Sequence, residues 1–110
     1  MALRPTEPFD PSRPDVDVAA AMIGNRTKSL LVRHLWQNGP TKGTDIVRET
    51  GISGPGMSLA MQQLEGWGIV TGSIPKEMRH GRPVVYALNR ERVQQLVGAW
   101  LAFVTGESSR

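Results

Sequence analysis

Residues 41–70, TKGTDIVRETGISGPGMSLAMQQLEGWGIV, hold two helical patterns separated by a glycine-centred break. Thr41 or Thr44 starts the first, a short helix that turns Ile46, Val47 and Thr50 inward. Gly51 stops it at a C-cap position, where glycine is the favoured residue. Ser53 is a good N-cap for the second, and Pro55 fits that helix's first turn. Within it Met57, Met61 and Leu64 recur at i, i+4 and i+7, with Ala60 beside them, so one face is apolar. Gly66 and Gly68 end it around Trp67. Two helices joined by a turn at Gly51-Ile52-Ser53 make a helix-turn-helix unit.

The flanking sequence extends this unit on both sides. IVTGSI (69–74) reads as a strand and VVYALN (84–89) as a second, with PKEMRHGRP (75–83) as the loop of a β-hairpin. Asn89 caps a last helix over 90–104, where Val93, Leu96, Val97, Trp100, Leu101 and Val104 form one apolar stripe. Upstream, Asp15 caps a short helix ended by Gly24, and Asn25 caps a longer one that stops at Gly39-Pro40. Residues 1–14 hold four of the eight prolines and read as a flexible arm. The domain proper spans 15–105, and 106–110 is a polar tail. The fold class is mainly α with a small β-hairpin (α+β), because a hairpin after the second helix of a helix-turn-helix makes a winged helix.

Composition narrows the function. A chain of 110 residues with 39% apolar content supports one domain and one core. No cysteine is present, which excludes disulfides, thiolate metal sites and cysteine nucleophiles. Two histidines, His34 and His80, are too few for a histidine–carboxylate metal site. No apolar run approaches a membrane span, and the first residues do not read as a signal peptide, so a cytoplasmic protein is expected. No phosphate loop or nucleophile–base pair is recognisable; GISGPG lacks the preceding strand and following lysine of a P-loop. Asp45, Glu49 and Glu65 read as ordinary surface carboxylates, and neither an enzyme nor a cofactor is expected.

The net charge is only +3, but it is unevenly placed. Residues 24–53 carry five basic and two acidic residues, and residues 75–92 again carry five and two. The remainder is neutral or negative. The second block includes Lys76, Arg79, His80 and Arg82 beside Gly81 and Pro83. Such a cluster is either a charged hairpin tip that resists edge pairing or a finger that reaches a polyanion.

Together, residues 23–72 (IGNRTKSLLVRHLWQNGPTKGTDIVRETGISGPGMSLAMQQLEGWGIVTG) and GRPVVYALN (81–89) resemble ArsR- or MarR-type winged-helix transcriptional regulators. The GNRTK helix entry, the TGIS turn, the LEGWGIV closure and the GRPVVYALN return strand carry the likeness in that order. The resemblance implies a homodimer that binds double-stranded operator DNA and usually represses transcription. It places the helix over 53–67 in the major groove and the loop over 75–83 at the minor groove. The expected DNA contacts are Lys42, Thr44, Ser53, Gly54, Ser58, Leu59, Gln62 and Gln63, with Lys76, Arg79, His80 and Arg82 in the wing. Arg82 is assigned to the groove itself, and Arg79 and Lys76 to phosphates. Arg26, Lys28 and Arg48 are either solvated or phosphate-facing. The last helix, through Val93, Leu96, Val97, Trp100, Leu101, Phe103 and Val104, is the expected dimer interface, with residues 16–23 beside it. Two other readings stay open: a winged-helix interaction or assembly module, and an architectural or plasmid/phage-type binder of low specificity.

Overall fold

The computed structural model describes residues 14–107. The arm expected over residues 1–14 lies outside the described residues except for Pro14, as do tail residues 108–110. Helix α1 (Pro14–Ile23) leads through Gly24 into α2 (Arg26–Asn38). Asn25 ends one and begins the next: its Oδ1 accepts the Lys28 amide at 2.9 Å, which satisfies one free donor of the first turn. The Ser29 hydroxyl donates to the Met22 carbonyl at 3.0 Å and fastens α2 to the end of α1.

Thr41 and Thr44 do not start a helix. Thr41–Lys42 is a two-residue strand, β1, and α3 (Gly43–Thr50) begins at Gly43. The Gly43 amide donates to the Val84 carbonyl at 2.9 Å, so the backbone stays extended to meet the later strand before it coils. The helix-turn-helix follows as expected. Gly51 adopts a left-handed φ of 77° and its amide returns to the Val47 carbonyl. The Ser53 hydroxyl then accepts the Gly56 amide at 3.1 Å and opens α4 (Gly54–Gly66).

Strand β2 (Val70–Gly72) and strand β3 (Val85–Leu88) pair antiparallel, with Val70 opposite Leu88 and Gly72 opposite Tyr86. β1 lies on the other side of β3, with Thr41 opposite Tyr86, so the sheet order is β1-β3-β2. The loop between β2 and β3 contains a 3₁₀ turn, Lys76–Met78. Helix α5 (Arg90–Val104) starts where Asn89 Oδ1 accepts the Arg92 amide at 3.1 Å.

One core joins these parts. Leu31, Leu35, Ile46, Met61, Leu64 and Ile69 are fully buried, and Leu96 joins them from α5. Val93 is also buried there. Val93 and Leu96 therefore leave the expected dimer face: they sit on the side of α5 that closes its own domain. Helix α1 packs chiefly along α5, and Asp15 pairs with Arg92 at 3.0 Å across that contact.

Candidate nucleic-acid interface

Helix α4 divides cleanly into two faces. Met57, Ala60, Met61 and Leu64 are buried, while Ser58, Gln62 and Gln63 are exposed and Leu59 is 61% exposed. The exposed face carries no charge. A groove of about 450 Å³ runs along one side of it. Thr44, Gly54, Ser58 and Arg82 line this groove, so residues from α3, α4 and the wing meet there. A second groove of about 420 Å³ runs along the other side, with Ser53, Leu59 and Gln63 in its wall. The α4 surface is thus a neutral ridge between two grooves. Lys42 stands exposed just before α3, and Gln62 lies on the ridge.

The wing is joined to α4 by Arg79. Its guanidinium donates to both carboxylate oxygens of Glu65, at 3.0 and 2.7 Å, and its Nε donates to the Ile74 carbonyl at 2.6 Å. The same group lies 5.8 Å from the Tyr86 ring centroid. Only 18% of the Arg79 side chain and 12% of the Glu65 side chain is exposed. The hydrogen bonds from Arg79 hold the Glu65 carboxyl below its usual range against the opposing effect of burial, and the charges of Arg79 and Lys76 add to this. Glu65 in turn raises the pKa of Arg79. Burial, before any charge effect, raises the Tyr86 phenol.

Two sequence readings change here. Arg79 is committed to Glu65 rather than held out toward a phosphate, and Glu65 is a half-buried anchor rather than a surface carboxylate. Gly72 makes the pairing possible. A Cβ on it would overlap the Arg79 guanidinium and stand 2.9 Å from its Cζ and 3.1 Å from Glu65 Oε2.

Other basic residues are also engaged. Arg92 donates from Nε to the Trp67 carbonyl at 3.0 Å besides pairing with Asp15. Arg90 stacks on Trp36, 4.5 Å from the ring centroid, and donates to the Trp36 carbonyl. Arg48 pairs with Asp45 at 3.0 Å and Glu49 at 3.4 Å. No side-chain hydrogen bond or ion pair among the described residues engages Lys76, Arg82 or Lys42. His80 is exposed in the wing. His34 is committed elsewhere, to Glu49 at 2.7 Å. No group of three metal-ligating side chains occurs among the described residues.

At the far end of the domain, Val97, Leu101 and Val104 of α5 are 41%, 55% and 56% exposed, with Ile23 of α1 also on the surface. Trp100 is half-buried against the core and Phe103 is half-buried. No helix among the described residues is long and apolar enough to cross a membrane.

No family model matches the chain, and no curated protein sequence matches it. Solved structures do. The crystal structure of an ArsR family transcriptional regulator matches with a TM-score of 0.64 at 18% identity, over 84% of this chain and 93% of that one. The chain is a winged helix-turn-helix. The winged helix is also similar to reduced AbfR bound to DNA, with a TM-score of 0.55 at 17% identity over 83% of this chain and 65% of that one. Overoxidized AbfR bound to DNA gives 0.56 at 16%, over 89% and 71%. At such identities the likeness is one of fold.

Proposed function

We propose that this winged helix is a sequence-specific double-stranded DNA-binding transcription regulator that acts as a homodimeric repressor in the cytoplasm, and not as an enzyme. One observation carries the reading. The α4 ridge is neutral and able to hydrogen-bond, it lies between two grooves, and unpaired cations stand at Lys42, Lys76 and Arg82. A ridge of this kind fits a major groove, where Gln62 can pair with an adenine edge, Ser58 with a base or phosphate, and Leu59 with a thymine methyl. Arg82 shares a groove with the N-terminal ends of α3 and α4, and an arginine in a narrow minor groove meets enhanced negative potential. Lys76 and Lys42 supply phosphate contacts. The AbfR structures, solved on DNA, support the reading by fold.

The dimer is proposed on the exposed stripe Val97, Leu101 and Val104 with Ile23. Two copies related by a two-fold axis would cover one another's stripe and set two α4 ridges on one face. The same stripe favours the second reading, a protein-interaction module.

Duplexes selected from a random-sequence library separate the two. Affinity for the selected duplex should fall at least tenfold in Lys76→Ala/Arg82→Ala with the fold intact, and its salt slope should drop by about two per protomer. A wild type that enriches no sequence, or a double variant that binds normally, contradicts the regulator reading.

A further inference from the structure

Lys28 is the one charged residue among the described residues that the fold buries, at 9% exposure. It shares the inner face of α2 with Leu31 and Leu35. Its ammonium lies 5.7 Å from the Trp67 ring centroid, and no acceptor or carboxylate among the described residues engages it. The fold thus encloses most of this residue and sets no counter-charge against its ammonium, an arrangement that is costly unless the ammonium keeps water or gains an anion. The indole face offsets part of that cost. The ammonium is not sealed in, because the only sealed and unpartnered side-chain nitrogen among the described residues is His34 Nδ1.

Lys28 opens on the 420 Å³ groove beside α4. The N-cap residues Asn25 of α2 and Ser53 of α4 both line it, so two helix N-termini bring positive partial charge to one place. Thr27 and Gln63 add a hydroxyl and an amide, and no carboxylate is in the wall.

We propose that this groove is a phosphate seat, in which Lys28 and the N-terminal ends of α2 and α4 hold a backbone phosphate of the DNA strand that flanks α4. The proposal rests on the DNA-binding reading, and Lys28 is its positioning cation. A free phosphate-bearing small molecule offers the same chemistry, so the test has two arms.

In the first arm, DNA affinity of wild type and Lys28→Met is measured across salt concentrations; methionine keeps the unbranched apolar stem and removes the charge. The variant should melt no lower than wild type, bind about tenfold more weakly, and show a salt slope shallower by about 0.9 per seat. Wild-type affinity and slope in a folded variant would overturn the proposal while leaving DNA binding by the wild type in place. In the second arm, inorganic phosphate is titrated into wild-type protein at constant ionic strength and followed by amide NMR. Weak shifts at Thr27, Gly56 and the Trp67 indole, without saturation, support a seat whose phosphate comes from DNA. Saturation below about 1 mM assigns the seat to a free ligand and overturns the DNA source. No shifts at those residues overturn the seat itself. This arm decides whether the groove binds phosphate even if Lys28→Met does not fold, and a wild type that binds no DNA overturns the DNA source alone.

Discussion

Gly72, Glu65 and Arg79 fix the wing to α4 through three side-chain choices that depend on one another. Gly72→Ala would drive a methyl group into the guanidinium, costing about 1–3 kcal/mol as the ion pair is displaced. A lowered denaturant midpoint with α4 and α5 unaffected by circular dichroism would show this. Glu65→Gln removes the carboxylate and leaves Arg79 with half a partner, a loss of about 2 kcal/mol because both side chains keep some solvent. The sign of its pH dependence follows from the depressed carboxyl. The pairing is fully stabilising above the ordinary glutamate value of about 4.3 and is lost as pH falls through the lower folded value. Wild type should therefore converge on Glu65→Gln in stability as the solution is acidified below that point, read from urea midpoints at a series of pH values. None of this was legible from local pattern. Glu65 and Arg79 are 14 positions apart, and only the fold brings them together. Lys28 was partly legible, since it sits three and seven residues before Leu31 and Leu35 on one helical face, but its charge masked a core position.

Helices α4 and α5 show where periodicity speaks and where it stops. The i, i+4, i+7 repeat of Met57, Met61 and Leu64 gave the buried face of α4 directly, and the Ser53 and Asn89 caps marked helix starts to the residue. Ser53→Ala should cost about 1 kcal/mol by leaving the Gly56 amide without its acceptor. Thermal melting measures this. Strand β1 leaves no mark in the sequence, because two residues hold no alternation and its pairing depends on a strand more than forty residues away. The α5 periodicity presents its apolar stripe as a single surface. It is two: Val93 and Leu96 close the domain, and Val97, Leu101 and Val104 face outward. Val97→Glu/Leu101→Glu should accordingly leave the fold intact and yield a monomer by light scattering, with wild type at twice the chain mass. A monomeric wild type at micromolar concentration contradicts the proposed dimer.

Over the whole molecule, the modest charge of +3 conceals a division of labour. Arg48, Arg79, Arg90 and Arg92 are bound to groups within the chain, whereas Lys42, Lys76 and Arg82 are unpaired and lie in the elements that border or precede the α4 ridge. A neutral ridge flanked by free cations implies that affinity comes from the backbone phosphates and selectivity from a few uncharged contacts. With those three cations and Lys28 in each of two copies, the logarithm of the binding constant for a selected duplex should fall with the logarithm of salt concentration at a slope of roughly −7. The most direct test is that slope, measured by fluorescence anisotropy on the selected duplex and on a scrambled one of equal length. Similar steep slopes on both, with the selected duplex bound more tightly at every salt concentration, are expected. A flat slope, or equal affinity for the two duplexes, contradicts a sequence-specific DNA-binding winged helix.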